Sequence, residues 1–228
     1  MRPDWQPLLL TFQLAMTSTL ALLLIGVPLG YWLAFTKTRL KPLVETMVGM
    51  PLVLPPSVLG FYLLLAFSPQ HAFGLWLEHW LHIRLVFSFA GLVLGSVIFS
   101  LPFMVQPIQA GFEALPASLA EASRTLGKSE WTTVRRVLLP NMKPSLLTGA
   151  VLSFAHAIGE FGVVLMIGGN IPGVTRVASI AIYDEVESLH YAAANFYAAV
   201  LLGVSFAILF CVYLLNRRWR ERAALEGS

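Results

Sequence analysis

Long apolar runs separated by short polar stretches dominate the chain. Leu8 to Phe35 is 28 residues without a charge, and about 20 apolar residues are enough for a helix to cross bilayer hydrocarbon. Comparable runs extend from about Leu43 to Phe67, Leu85 to Ile108, Leu146 to Ile167 and Asn195 to Leu215. None has the alternating ten-residue pattern of a membrane strand. Helices are therefore predicted, because in lipid each spanning segment must satisfy its own backbone polar groups. The first run is too long for a signal-peptide core, and no small-residue cleavage site follows it. The pattern predicts an all-α integral membrane bundle of about five spans, one domain over residues 1–228.

Composition and charge sharpen this picture. Apolar residues make up 57% and charged residues only 12% of the 228, and mean hydropathy is +0.74. A soluble domain carries roughly a quarter charged residues. A net charge of +3 is too mild to suggest nucleic acid as a partner, but its distribution is one-sided. Lys37, Arg39 and Lys41 follow the first run. Arg124, Lys128, Arg135, Arg136 and Lys143 separate the third from the fourth, and Arg217, Arg218, Arg220 and Arg222 end the chain. Only Arg2, Arg84 and Arg176 fall on the other side. Basic residues stay cytoplasmic, which predicts an inner-membrane protein with its N-terminus outside and its C-terminus in the cytoplasm. The single cysteine, Cys211, excludes an internal disulfide and a cysteine-based metal site. His71, His79 and His82 lack a further ligand set; beside Trp76 and Trp80 they read as interfacial residues, and no metal is expected.

The cytoplasmic stretch at about residues 109–145 carries the sharpest signal. Leu115, Leu119, Ala122 and Leu126 recur at helical spacing and predict one apolar face of a short helix, started after Pro116 and stopped at Gly127. A second short helix, about Ser129 to Leu138, offers Trp131, Val134 and Leu138, with Pro140 and Pro144 ending it. Isolated helices this short are marginal. Their faces need cover, either from a partner protein or from the chain's own membrane domain. Glu121-Ala122-Ser123, then Gly127, Val137, Leu139 and Pro140, resembles the EAA loop of ABC-importer permeases in every spacing, with Ser123 and Val137 as small departures. That resemblance implies a type I ABC-importer permease fold, with Glu121, Ala122, Ser123, Gly127, Leu139 and Pro140 at the contact with an ATP-binding subunit. In that reading Gly127 makes a tight turn, Ala122 permits close approach and Glu121 is a polar anchor. ATP and magnesium belong to that subunit, and this chain needs no cofactor. Gly127-Lys128-Ser129 mimics the end of a phosphate-binding loop, but the required glycine is Ala122 and no strand precedes it.

Two features lie within the membrane. Pro51, Pro55 and Pro56, followed by Ser57, predict either a broken helix lining a pathway or a packed kink. His156 and Glu160 lie four residues apart. They are read as one polar helix face, serving either the packing or a pathway gate. Pro51 to Pro56 with Gly60, Gly159 to Gly162 and Asn170 to Arg176 are similar to the molybdate-importer members of the permease family. The resemblance covers about residues 45 to 215. It implies a permease paired with a second copy of itself, two ABC ATPase subunits and a periplasmic or extracellular oxyanion-binding protein. The cargo it implies is molybdate, with tungstate or sulfate and thiosulfate as alternatives. Hydroxyls such as Ser57, Ser100 and Ser153 suit a passing oxyanion, and Asp184, Glu185 and Glu187 either meet the binding protein or belong to a solvated loop. Gly26 with Gly30 and Gly91 with Gly95 have the spacing of close helix contacts, expected within the chain. The remote alternative is an intramembrane serine protease using Ser96 or Ser100 with His156; the nucleophile-elbow motif is missing.

Overall fold

The computed structural model describes residues 4–226, with side chains described through Leu214. Arg2 and the side chains of the basic tail, Arg217 to Arg222, lie outside the described part. No strand occurs among the described residues. Helix α1 (Gln6–Phe35) runs parallel to α5 (Phe89–Glu113), and α9 (Lys143–Gly159) packs antiparallel along both. The glycine spacing in α1 explains the closeness of the first pair. A Cβ on Gly26 would lie 2.6 Å from Met104 Cγ, and one on Gly30 would lie 2.7 Å from Ile108 Cγ2. Both glycines thus serve packing within the chain, as their spacing suggested. Leu14, Leu22, Leu92, Met104, Ile108 and Phe112 are sealed between these helices.

Helices α1, α5 and the apolar part of α12 (Tyr191–Glu226) are long and apolar enough to cross a membrane; two bent pairs bring the number to as many as five. The second apolar run is not one continuous span. It folds as α2 (Lys41–Gly49), a 3-10 turn (Met50–Leu52) and α3 (Pro56–Phe67), with axes 111° apart. Two prolines cause the turn. Pro55 is held extended at ψ 134° as the residue before α3, which the following proline enforces, and Pro56 opens the helix where its missing N–H costs nothing. With 12 residues, α3 is about 18 Å long and falls short of the roughly 30 Å hydrocarbon core. The fourth run is broken too: α9 stops before Glu160, and α10 (Gly162–Gly168) leaves at 61°. The third run is displaced, since α5 continues to Glu113 and the inner loop begins at Ala114, later than the expected residue 109.

Two short helices close the end of the bundle that holds the start of α1. One is α4 (Ala72–Leu81), which carries Trp76, His79 and Trp80; the other is α11 (Ala178–Glu187). The latter buries Ala178, Ile180 and Ala181, and its acids are engaged locally. Arg176 Nη2 donates to Asp184 Oδ2 at 2.7 Å and to Glu185 Oε1 at 3.2 Å, while Tyr183 donates to Glu187 at 2.7 Å. These carboxylates pair within the chain.

The α1–α5 contact generates a direct test. In Gly30→Ala the new methyl meets Ile108 and the backbone N of Gln109, so a loss of about 1–3 kcal/mol is expected. Gly203→Ala on α12 meets nothing within 4 Å and is expected to unfold no earlier than the parent. Thermal unfolding of the detergent-solubilised protein distinguishes the two.

Candidate functional site

The inner hairpin is built by three short pieces: α6 (Ala117–Thr125), α7 (Glu130–Thr133) with a π-helical turn at Val134–Leu138, and α8 (Leu139–Asn141). Gly127 carries the reversal. Its φ is +66°, a conformation that a Cβ disfavours, and its surroundings are open within 4 Å. Ser129 caps α7 by accepting from the Thr132 N–H. The inward face differs from the periodicity reading. Leu115, Leu119, Val134 and Leu138 do pack against Phe112 and Met142. Ala122, Leu126 and Trp131 do not: Ala122 points outward, and Leu126 and Trp131 are 74% and 71% exposed. A hydrogen bond sets this register. Ser123 is buried with its Oγ 2.7 Å from Thr133 Oγ1, so α6 turns Ser123 inward and displaces Ala122. Glu121 is exposed beside it. Pro140 does not end the second helix either; helical backbone continues to Asn141, with Leu139 packed inward and Pro140 exposed. The phosphate-loop mimic Gly127-Lys128-Ser129 occupies this helix–helix turn.

In the membrane region the two helix breaks meet. Gly162, at the start of α10, sits against the start of α3: a Cβ there would lie 2.7 Å from Pro56 Cβ and 3.3 Å from Ser57 N. Between the breaks lies a cavity of about 630 Å³ lined by Pro56, Ser57, Phe99, His156, Glu160 and Gly162, among others. Four residues singled out by sequence thus converge. Pro55 turns the chain and is not part of the lining.

His156 and Glu160 line one cavity, with no hydrogen bond between them. Glu160 ends α9: its φ of −70° is still helical, and its ψ of 133° turns the chain away after it. Its carbonyl accepts from Ser179 Oγ of α11 at 2.6 Å, which ties the break to the bundle. The residue is 4% exposed, and its carboxyl lies beside the buried hydroxyl of Ser96. The His156 ring stacks 4.2 Å from Phe103 and 4.9 Å from Phe99, and its Nε2 is buried without a partner. Ser96 and Ser100 are fully buried and make no bond to it, so the geometry gives no support to a serine–histidine dyad. Of the three hydroxyls considered for an oxyanion, Ser57 lines the cavity whereas Ser100 and Ser153 are sealed in the bundle. Phe99 and Phe103 escaped the sequence reading because two phenylalanines in an apolar run carry no signal of a stacked histidine.

The chain was compared with known proteins. A family model described as "Binding-protein-dependent transport system inner membrane component" matches residues 26–221. The molybdenum transport system permease protein ModB of Azotobacter vinelandii is 46% identical, covering 94% of this chain and 95% of that protein. The sulfate transport system permease protein CysT of Escherichia coli is 33% identical over 85% of this chain and 71% of that protein. Among solved structures, a bacterial alginate ABC transporter in complex with its alginate pentasaccharide-bound periplasmic protein matches with TM-score 0.76 at 17% identity, over 96% of this chain and 80% of that one. The fold is thus that of ABC-importer permeases.

The junction predicts an accessibility pattern. In a Cys211→Ser background, Ser57→Cys and Ala155→Cys line the cavity and are expected to react with a small polar thiol reagent. Ser100→Cys, fully buried, is expected to stay unlabelled. Equal labelling of all three would contradict the cavity.

Proposed function

The chain belongs to the family of binding-protein-dependent transport system inner membrane components, and from this we propose that it is the permease subunit of an ABC importer carrying an oxyanion, molybdate, into the cytoplasm. The observation that carries the proposal is the cavity at the two helix breaks. Its lining brings a carboxyl, an imidazole and a serine hydroxyl together at the depth of the apolar spans. Lipid cannot satisfy such groups. In this reading a second copy of the chain lies beside this junction, and the pathway runs between the two copies.

The remaining roles follow from this arrangement. The hairpin faces the cytoplasm, with the N-terminus of the chain outside and its C-terminus inside, in accord with the basic residues around it. Glu121, Ala122 and Gly127 lie on its open side and contact one of two ABC ATPase subunits; Ser123 shapes that surface from beneath, and Leu139 and Pro140 anchor the hairpin's return. ATP and magnesium are bound by those subunits, and this chain performs no chemistry. An external oxyanion-binding protein delivers cargo at the end closed by α4 and α11. ATP-driven closure of the ATPase pair brings the hairpins together and opens the cavity outward; hydrolysis resets it. In the cavity, Ser57 at the start of α3 presents its hydroxyl to the anion. No lysine or arginine among the described residues lines the cavity, which suits transient passage. The similarity to CysT makes sulfate the second cargo to test.

Co-purification and uptake test the proposal together. The chain expressed with its ATPase subunit is expected to retain it, and Gly127→Asp to lose it. Vesicles holding the complex are expected to take up labelled molybdate only with binding protein outside and ATP inside. Retained ATPase in Gly127→Asp contradicts the docking role of the hairpin, and uptake of sulfate in preference to molybdate reassigns the cargo.

A further inference from the structure

Resting on the reading of the hairpin as the ATPase contact, we propose that Glu130, held between Arg124 of α6 and Tyr31 of α1, is the positioning residue that makes the hairpin and α1 move as one body. Helix α1 is far from the hairpin in sequence, so a push on the hairpin reaches α1 only through non-covalent contacts. The covalent connections of the hairpin lead elsewhere. It leaves α5 through Ala114 to Pro116, and it enters α9 through the π-helical turn and a break at Met142 (φ −111°, ψ 21°). Both joints depart from straight helix and bend more readily than helix does.

One side-chain hydrogen bond joins α1 to the hairpin among the described residues: Tyr31 Oη donates to Glu130 Oε2 at 3.3 Å. The other carboxylate oxygen accepts from Arg124 Nε at 2.9 Å. A single carboxylate therefore ties the end of α6, the start of α7 and the inner part of α1 to each other. The Tyr31 ring is itself held, 5.3 Å from Phe112 of α5 and 5.0 Å from Phe35. The hydrogen bond from Arg124 holds the Glu130 carboxyl below the usual carboxylate range, so it remains an ionised acceptor for both donors at neutral pH. Arg124 and Glu130 are largely exposed, and exposed ion pairs add little to stability. Their removal leaves the fold in place, so a change in coupling is separable from unfolding.

The test uses the complete complex in vesicles, with uptake and ATP hydrolysis measured on the same preparation. In Glu130→Gln and Tyr31→Phe the ATPase subunit is expected to co-purify and hydrolysis to persist. Uptake per ATP hydrolysed is expected to fall several-fold. Glu130→Asp is expected to recover part of it, and the Tyr31→Phe/Glu130→Gln double variant to be no worse than the weaker single. A wild-type ratio of uptake to hydrolysis in both single variants overturns the brace. Loss of the ATPase from Glu130→Gln also overturns it, placing Glu130 in the docking surface instead. A wild-type chain that retains no ATPase overturns the docking reading, and the brace falls with it.

Discussion

Backbone polar groups cannot be left open to lipid, and this constraint governs where the chain is allowed to stop being helical. Two of its apolar runs are interrupted. A break at Pro55 or at Glu160 alone would expose carbonyls and N–H groups without partners. The chain places the breaks against each other, with Gly162 seated on Pro56 and the Glu160 carbonyl bonded to Ser179. The contact needs a residue without a Cβ at 162. The prolines set the 111° bend, and this seat brings the second break against it around the polar cavity. Two straight spans in place of the bent pairs would bury only apolar surface there and leave no room for a passing ion.

Much of this organisation was legible in the chain. Runs of twenty or more apolar residues announce membrane helices by length alone. The charge-free face of α1 with its glycines announced a tight neighbour, which proved to be α5. Pro55, Pro56, Ser57, His156 and Glu160 stood out because prolines and ionisable groups are costly at that depth. The EAA-type spacing located the hairpin and its Gly127 turn. What could not be read was geometry decided by tertiary contact. Periodicity placed Ala122 inward, but the Ser123–Thr133 hydrogen bond outweighs one methyl group and rotates α6. Spacing put Glu160 near His156, but it could not show that the helix ends there and that the imidazole stacks on Phe103 instead of bonding to the carboxyl. Proline marks a break without stating its angle, so a span and a sharp re-entrant turn look alike in sequence.

The hairpin and the cavity lie at different depths, and the packed bundle of α1, α5 and α9 joins them. Phe112, Met104 and Ile108 of α5 are sealed against α1 and against the hairpin's Val134 and Leu138. Close packing of this kind transmits displacement with little give. Helix α12 contrasts with it: the span Tyr191–Leu214 is only 6% buried, and its outward leucines and phenylalanines suit a lipid-facing helix. Helix α12 is thus peripheral to the packed core of α1, α5 and α9 within the chain.

The central claim, that the seated breaks form a pathway between two copies moved from the hairpin, is tested most directly by distances between spin labels in the assembled complex. Labels at Ser118 on α6 report the separation of the two hairpins, and labels at Ser57 report the width of the shared cavity. Trapping the ATPase subunits in their ATP-bound closed state is expected to shorten the Ser118–Ser118 distance and shift the Ser57–Ser57 distance in the same step. Hairpins that close while the Ser57 labels keep their distance would contradict it.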